Sequence, residues 1–327
     1  MHIVTGGAGF IGSHIVHALE KKGYTDTVVC DTLGTGHKWK NISKRELGTI
    51  ILPHELFNFL NQHSSRISTI FHMGAISTTT ETDADAIVAN NLRLSQSLWS
   101  WCGIHKKRFI YASSAATYGA GEQGFIDNET PEFLSTLRPL NAYGWSKHLF
   151  DRWVARINQS NIEKPAQCVG LKFFNVYGPN EYHKEGQRSV VSQAFDTIQK
   201  GNAVHLFKSN NPKYQDGGQL RDFIYVKDCA EATMWFYENP HLNGLYNLGT
   251  GKARSFQDLA HAVYAALGKP ARINYIDMPE NLKKTYQNFT QSAQTKLSKA
   301  GFTPSYDLEE GIKEYVQSFL MKDDPYL

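Results

Sequence analysis

Short runs of β-branched and aromatic residues alternate, along the first half of the chain, with longer stretches whose apolar residues recur at helical spacing. The apolar runs cover residues 3–5, 27–31, 69–73, 108–113 and 167–173. Between the first two runs, Ile11, Ile15 and Leu19 stand four residues apart, and residues 84–101 carry a second helical pattern. Such alternation is typical of βαβ units. We therefore predict an α/β fold built on a doubly wound parallel sheet.

The alternation breaks down after residue 174. A polar stretch at 175–189 and a segment rich in Lys, Asn and Gly at 208–219 predict the loops of a substrate-binding lobe. Apolar runs at 223–226 and 245–248 are expected to return to the sheet.

The length of the chain predicts two domains. Its 327 residues exceed the roughly 250–300 residues at which a single hydrophobic core stops growing. We expect a larger domain from residues 1–174 plus about 222–250, and a smaller, interleaved domain from about 175–221 and 251–327.

A glycine loop follows the first predicted strand directly and opens the first predicted helix. Residues 6–12 read GGAGFIG, which contains both G-x-G-x-x-G and G-x-x-G-x-x-G. The glycines let the backbone approach a pyrophosphate, whose charge then lies at the helix N-terminus. Asp31 stands 19 residues past Gly12, where an acid accepts hydrogen bonds from the adenosine ribose. Together these features predict a Rossmann-type domain that binds a nicotinamide dinucleotide.

The residues after Asp31 leave the choice between NAD and NADP open. The carboxylate alone favours NAD, because it repels a 2′-phosphate. The following loop carries His37, Lys38 and Lys40, and a cation at that place can neutralise a 2′-phosphate.

A tyrosine and a lysine four residues apart, Tyr143 and Lys147, stand at the start of a predicted helix. The spacing places both side chains on one helical face. The ammonium, together with a cationic nicotinamide, lowers the pKa of a phenol from its ordinary value of about 10, so that Tyr143 can transfer protons. Ser114 closes a predicted strand, and ligands of open α/β sheets bind at that edge. We predict these three residues to be catalytic.

Composition and charge exclude several other classes of protein. Apolar residues make up 41% of the chain and charged residues 20%, as in a globular enzyme. A net charge of +3, dispersed along the chain, does not indicate a nucleic-acid partner. No run of about 18 apolar residues and no secretory signal is visible, and the histidines form no ligand cluster. With its four cysteines far apart, the chain is expected to be cytoplasmic, without metal or membrane partner.

Several longer motifs identify a family resemblance. The segments TGGAGFIG, YASSAATYG and YGWSK resemble the extended short-chain dehydrogenase/reductases that act on nucleotide sugars. The segments FFNVYGPNEYHK at 173–184, RDFIYVKD at 221–228, NLGTG at 247–251 and YQNFTQ at 286–291 are similar to the ADP-L-glycero-D-manno-heptose 6-epimerases. The resemblance runs across nearly the whole chain.

This resemblance implies an activity, a substrate and a cofactor. It implies inversion of C6 in ADP-D-glycero-D-manno-heptose to give ADP-L-glycero-D-manno-heptose, by transient oxidation to a 6-keto intermediate, in the synthesis of the lipopolysaccharide inner core. ADP-heptose is the implied substrate. NADP is the implied cofactor, with NAD possible, and the implied assembly is a homo-oligomer, a pentamer or similar.

The resemblance also assigns individual residues. It implies that Lys184 is a second catalytic base and a cofactor contact, beside Tyr143, Ser114 and Lys147. The cofactor positions expected from the glycine loop and from the resemblance are Gly6, Gly9, Phe10, Ile11, Gly12, Asp31, Thr32, Lys38, Met73, Gly74, Ala75, Ile76, Ser77, Asn90, Lys147, Val176 and Lys184. The expected substrate positions are Ser114, Asn175, Gly186, Gln193, Phe207, Lys208, Ser209, Asn210, Arg221 and Tyr286. At Gly186 and Gln193 the chain departs from the family, which carries serine and histidine there.

Other readings share part of these features. A C4 epimerase of another nucleotide sugar has the same glycine loop, serine and Tyr-Lys pair, and it remains the alternative; Lys184 argues against it. A 4,6-dehydratase needs an acid pair beside the serine, whereas Ser114 is followed by Ala115-Ala116-Thr117. A catalytically silent cofactor-binding module would have no use for the Ser-Tyr-Lys set.

Overall fold

The computed structural model describes residues 1–283 and 286–327. Its strands are β1 (His2–Thr5), β2 (Thr27–Cys30), β3 (Thr49–Ile51), β4 (Thr69–His72), β5 (Arg108–Ser114), β6 (Gln167–Phe173), β7 (Asn175–Tyr177), β8 (Val204–Phe207), β9 (Leu220–Tyr225), β10 (Gly244–Leu248), β11 (Ala253–Ser255) and β12 (Ile273–Ile276). Its helices are α1 (Phe10–Lys21), α2 (Leu56–Gln62), α3 (Ala84–Ile87), α4 (Leu94–Ile104), α5 (Pro131–Thr136), α6 (Ala142–Ile157), α7 (Val190–Gln199), α8 (Val226–Glu238), α9 (Phe256–Ala266), α10 (Glu280–Lys283), α11 (Thr295–Lys299) and α12 (Leu308–Tyr315).

Seven of these strands form a parallel sheet. Their order is β10-β6-β5-β4-β1-β2-β3, and each neighbouring pair is parallel. The direction of winding reverses between β1 and β4, and a crevice forms at such a place outside the carboxyl ends of the strands. The predicted doubly wound α/β sheet is confirmed.

Successive residues of the central strands pack into two different hydrophobic layers. Ile3 belongs to the layer that includes Phe150 of α6, whereas Val4 belongs to the layer that includes Ile15 of α1. Both faces of the sheet are therefore covered by helices, as the side-chain alternation of a strand requires. This packing fixes α1 and α6 against the sheet, and both helices begin at the crevice.

A separate hydrophobic cluster joins α7, α9 and α12 to two small sheets. One sheet has the order β11-β9-β7, and the other pairs β8 with β12. The expectation that residues 245–248 return to the central sheet is confirmed by β10. The same expectation for residues 223–226 is wrong, because β10 already occupies the edge of β6, and β9 pairs with β7 instead.

The polar stretch at 175–189, expected to be a loop, contains strand β7 and a 3₁₀ segment at Tyr182–Gln187. Because β7 follows β6 after one residue, the chain passes from the central sheet into the three-stranded sheet there. Over residues 1–283 and 286–327, every helix is too short or too polar to cross a membrane.

Candidate active site

The glycine loop after β1 forms a close-packed cradle at the start of α1. Gly6 has φ +65°, and a Cβ on Gly12 would lie 2.1 Å from the Gly6 carbonyl oxygen. Only glycine fits these positions. In the described part of the chain no side chain caps Gly9, and the first turn of α1 holds no acidic residue. The first-turn N–H groups can therefore bind an anion.

Asp31, at the end of β2, lies beside this loop and pairs with Lys38. One carboxylate oxygen accepts the Ala8 N–H at 3.0 Å. The other accepts the Thr32 N–H at 2.8 Å and the Lys38 Nζ at 2.5 Å. Lys38 also donates to the Thr32 carbonyl oxygen at 3.1 Å. The carboxylate that can bind a ribose and the ammonium that can bind a phosphate are thus adjacent.

A cavity of about 650 Å³ extends from Asp31 to Tyr143, a size typical of cofactor sites. The structure brings most predicted cofactor and catalytic positions together around it, namely Gly6, Gly9, Phe10, Ile11, Gly12, Asp31, Lys38, Met73, Gly74, Ala75, Ile76, Ser77, Ser114, Tyr143, Lys147, Val176 and Lys184. Thr32 is exposed and does not line this cavity; its N–H donates to the Asp31 carboxylate.

Asn90 is not among the residues that line this cavity. It is exposed, and its amide donates to the Ala86 carbonyl oxygen at 2.8 Å. The buried neighbour Asn91 bonds both the N–H and the carbonyl of Ile76 at 2.9 Å, and it donates to the Ser146 hydroxyl at 3.0 Å. Asn91 therefore holds the cavity segment 73–77 against α6, a function that the sequence reasoning missed.

Helix α6 begins at the cavity and carries Tyr143 in its first turn. The Asn141 side chain caps the helix by accepting the Gly144 N–H at 2.8 Å. A Cβ on Gly144 would lie 2.7 Å from the Ala116 carbonyl oxygen, so α6 lies very close to the chain that follows β5. Because of this approach, Tyr143 and Ser114 line the same part of the cavity.

Burial changes the pKa of both Tyr143 and Lys147. Burial lowers the pKa of Lys147 to about 8, and the nearby Asp151 carboxylate opposes the change. Burial raises the pKa of the Tyr143 phenol, a hydrogen bond with Ser114 lowers it, and the Asp151 charge raises it. His72 lies beside Lys147, and its pKa is lowered to about 3, mainly by burial, so the imidazole is neutral.

Lys184 enters the cavity from the 3₁₀ segment that follows β7. Its Nζ lies 5.5 Å from the centre of the Phe10 ring. Burial lowers the pKa of Lys184, while the Glu181 carboxylate raises it. Glu181 is buried and accepts hydrogen bonds from the Ser189 hydroxyl at 2.6 Å and the Tyr315 hydroxyl at 3.0 Å. A second titratable group with a lowered pKa therefore reaches the cavity from an element other than α6.

Part of the predicted substrate set lines a second cavity, of about 390 Å³, whose walls include residues of α7 and β8. Gln193, Phe207 and Tyr286 lie on its surface. Arg221 is buried beside it, with its guanidinium 5.5 Å from the Phe256 ring centre and 5.0 Å from that of Tyr286. A guanidinium close to two aromatic rings suits recognition of a phosphate or a base.

The other predicted substrate positions line neither cavity. Asn175 is exposed at the start of β7. Lys208 pairs with Asp277 at 3.1 Å, and Ser209 and Asn210 continue the loop after β8. The exposed Gly186 contacts Gln193, whose amide donates to the Gly186 carbonyl oxygen at 3.3 Å.

Several cavity residues were absent from the sequence-based set. They are Thr78, Ala112, Ser113, Phe173, Phe174, His183, Glu185 and Gln187. Most stand next to predicted positions, and adjacency to those motifs was the available signal. His183 bonds Asn41 at 3.1 Å, a contact across 142 residues that no local pattern indicates.

Comparison with known proteins agrees with this architecture. The chain belongs to the NAD dependent epimerase/dehydratase family, whose model matches residues 2–249. It is 47% identical over 331 residues to an ADP-L-glycero-D-manno-heptose-6-epimerase from Nitratidesulfovibrio vulgaris, and 46% identical over 336 residues to one from Fusobacterium nucleatum, with 100% of each chain covered. These matches place the chain among the relatives of that epimerase.

Solved structures show the same relationship. The Helicobacter pylori ADP-L-glycero-D-manno-heptose-6-epimerase superposes with a TM-score of 0.76 at 29% identity, covering 97% of this chain and 95% of that one. The Thermus thermophilus UDP-glucose 4-epimerase in complex with NAD superposes equally well, at 26% identity and with 97% and 98% covered. The fold is therefore shared by a heptose 6-epimerase and a UDP-glucose 4-epimerase.

Proposed function

We propose that this protein is an epimerase that converts ADP-D-glycero-D-manno-heptose into ADP-L-glycero-D-manno-heptose, a step towards the lipopolysaccharide inner core. The observation that carries the proposal is the joint presence of Tyr143 and Lys184 around one cavity with the glycine loop. Full-length identity of 46–47% to epimerases of that name supports the choice of substrate.

The proposed chemistry needs proton transfer at the O6 oxygen from two directions. When bound, an oxidised nicotinamide would supply the acceptor for the C6 hydride and the donor that returns it to the opposite face of the 6-keto sugar. Loss of the hydride must be accompanied by loss of the O6 proton to a base, and its return by gain of a proton from an acid. One side chain can serve only one side of the carbonyl, so we assign Tyr143 to one epimer and Lys184 to the other.

The remaining catalytic positions support these two. Ser114 is assigned a hydrogen bond to O6, because it lies at the end of β5 and lines the same cavity as Tyr143. Lys147 supplies positive charge one helical turn from Tyr143, which favours the phenolate. Because burial raises the pKa of Tyr143, this positive charge is what the reaction requires.

The cavity fits a nicotinamide dinucleotide. The glycine cradle leaves no room for side chains, and the uncapped N-terminus of α1 can hold a pyrophosphate. Asp31 lies where the adenosine ribose is recognised. We propose NADP as the cofactor, because the Lys38 ammonium lies 2.5 Å from the Asp31 carboxylate and offsets its repulsion of a 2′-phosphate.

Replacing Lys38 by methionine is expected to change the choice of cofactor. The variant loses a charge-assisted contact to the 2′-phosphate, so its preference for NADP over NAD should fall about tenfold or more. Protein reconstituted in an equimolar mixture of both dinucleotides is denatured, and the released cofactor is identified by mass spectrometry. Lys44→Met is the control, since Lys44 pairs with Asp324 instead. An unchanged NADP to NAD ratio would remove Lys38 from the proposal.

Arg221 is assigned to the substrate diphosphate. Arg221→Lys keeps the charge and loses the planar, bidentate donor set, so we expect the KM for ADP-heptose to rise about tenfold or more, with a smaller change in kcat. Arg254→Lys is the matched control, because Arg254 opposes Arg221 across β11 and β9 and pairs with Glu309. Equal kinetic effects in the two variants would contradict the assignment.

The proposed function is tested without added cofactor. Purified protein is incubated with ADP-D-glycero-D-manno-heptose, and the two C6 epimers are separated chromatographically. Conversion to an equilibrium mixture is expected, because the cofactor is restored in each turnover. A parallel incubation with UDP-glucose tests the C4 alternative. Conversion of UDP-glucose alone would favour that alternative.

Three further proposals concern assembly, location and domain organisation. We propose a homo-oligomer located in the cytoplasm. From the sequence, residues 1–174 with about 222–250 were expected to form a cofactor domain, and about 175–221 and 251–327 a substrate domain. Because β9 pairs with β7 outside the central sheet, we propose that the chain returns to the cofactor domain after β9, at about residue 226. The separate core around α7, α9 and α12 supports the division.

A further inference from the structure

A buried carboxylate, Asp151, lies on α6 one helical turn after Lys147 and two turns after Tyr143. One of its oxygens accepts the Ser113 hydroxyl at 2.7 Å and the Lys172 ammonium at 2.9 Å. The other accepts the Tyr111 hydroxyl at 3.2 Å. Asp151 therefore ties α6 to strands β5 and β6 directly behind the cavity.

Lys172, on β6, is the partner of this carboxylate and is completely buried. Its ammonium also donates to the Thr117 hydroxyl at 2.5 Å and lies 4.7 Å from the centre of the Tyr118 ring. Thr117 in turn donates to the Ser114 carbonyl oxygen at 2.8 Å. The ion pair is thus connected to both elements that present the proposed catalytic groups.

Stability alone does not explain a buried ion pair at this place. Removing two charges from water costs free energy that their attraction often fails to recover, and well-packed apolar residues are frequently as stable. A buried ion pair is best explained where it orients neighbouring side chains or changes their pKa values. Here the Asp151 charge acts on Tyr143 and Lys147, and Lys172 is linked through Thr117 to Ser114.

We propose that Asp151 and Lys172 are a positioning pair: together they hold Ser114 against α6 and set the pH range in which Tyr143 and Lys147 exchange protons. Neither residue lines the cavity, so they act through the groups they contact. The catalytic part of this inference rests on the proposed function.

The histidine, cysteine and tyrosine side chains around the pair are uncharged at neutral pH, whereas Asp127 acts on Tyr118, and Arg138 and Arg152 act on His148. Burial lowers the pKa of His72 to about 3 and that of His148 to about 4, and raises those of Cys168, Tyr111 and Tyr118. Glu129 acts on Tyr111 from outside and pairs with Lys296 at 3.3 Å. The charge that acts on both members of the Tyr-Lys pair is that of Asp151, and Lys172 lies 2.9 Å from that carboxylate.

Removing one charge of the pair at a time moves both catalytic groups in a defined direction. Asp151 raises the pKa of Lys147 and of Tyr143, so Asp151→Asn is expected to lower both. Lys172→Met removes a cation and is expected to raise both. A nearby charge in a buried site changes a pKa by about one unit or more. Lys172→Arg keeps the charge and is expected to leave both values unchanged.

Two measurements test this inference. The first follows the pH titration of the lysine ε-carbon by NMR in protein labelled with ¹³C-lysine, using the signal that disappears in Lys147→Met. It needs no substrate and therefore remains decisive even if the proposed epimerase activity is absent. The second measures the pH profile of kcat for epimerisation. Glu163→Gln is the control, because Glu163 forms an exposed pair with Lys106 far along the surface.

The expected result is a Lys147 titration and a pH profile that move to lower pH in Asp151→Asn and to higher pH in Lys172→Met. Lys172→Arg and Glu163→Gln stay at the wild-type position. The double variant Asp151→Asn, Lys172→Met removes both charges and is expected to titrate near the wild-type position, which keeps the test available if a single variant fails to fold. Titrations that stay in place, or that move in the same direction in both single variants, would overturn the inference.

Discussion

Tyr143→Phe is expected to lower kcat for epimerisation by about 10³-fold, within the range measured for loss of a general acid–base group. The substitution removes only the phenol oxygen. Asn141 continues to cap α6, and Gly144 continues to pack on Ala116, so the helix keeps its position. The KM for ADP-heptose and the melting temperature should therefore remain close to those of the wild type.

The control for this variant is Tyr24→Phe, since Tyr24 is exposed and distant from the cavity. Bound cofactor is quantified in both proteins before kinetics are measured. Wild-type kcat in a fully loaded Tyr143→Phe enzyme would remove Tyr143 from the chemistry.

Lys184→Met is expected to lower kcat by about 10²- to 10³-fold, because the second side of the carbonyl loses its proton-transfer group. Methionine has a similar length and no charge, so it can remain packed against Phe10. The two variants should also differ in which epimer they fail to oxidise. Each blocks oxidation of one epimer and leaves oxidation of the other, which is detected in a single turnover by the absorbance of reduced nicotinamide.

Measurements with each pure epimer distinguish this pattern from a general loss of activity. Lys200→Met serves as the control, since Lys200 is exposed after α7. If Tyr143→Phe and Lys184→Met lost the same half-reaction, the assignment of one base to each epimer would be abandoned.

Most of the central sheet was predictable because its strands are buried on both faces and read as continuous apolar runs. Strands β1, β2, β4, β5 and β6 lie where the runs at 3–5, 27–31, 69–73, 108–113 and 167–173 predicted them, within a residue. The edge strand β3 was missed, because two of its three residues are exposed and it has no clear pattern. The partner of β9 could not be predicted, since it depends on which sheet edge is free after β10 has docked.

The site residues that were predicted belong to local motifs, and those that were missed depend on distant contacts. The glycine loop, the segment 73–77 and the Tyr-Lys pair are local motifs, and the structure places them around one cavity. Asn91, Asp151 and Lys172 gain their importance from contacts with segments that are 15 or more residues away. Sequence spacing does not predict such contacts, so these residues could be identified only from the fold.

The glycine loop was the first feature to indicate a bound dinucleotide. The presence of Tyr143 and Lys184 around the same cavity makes the expected role of that dinucleotide more specific. The cofactor is expected to act as a resident catalytic group, and the reaction as an epimerisation without net oxidation. This claim concerns the hydrogen on C6, which must leave and return without exchanging with solvent.

The most direct test follows a deuterium label on that carbon. ADP-D-glycero-D-manno-heptose with deuterium at C6 is converted in ordinary water, and the L-epimer is isolated and examined by NMR and mass spectrometry. Full retention of deuterium at C6 is the predicted result. Replacement of the label by solvent hydrogen would mean that C6 is inverted by proton removal, and it would contradict the account.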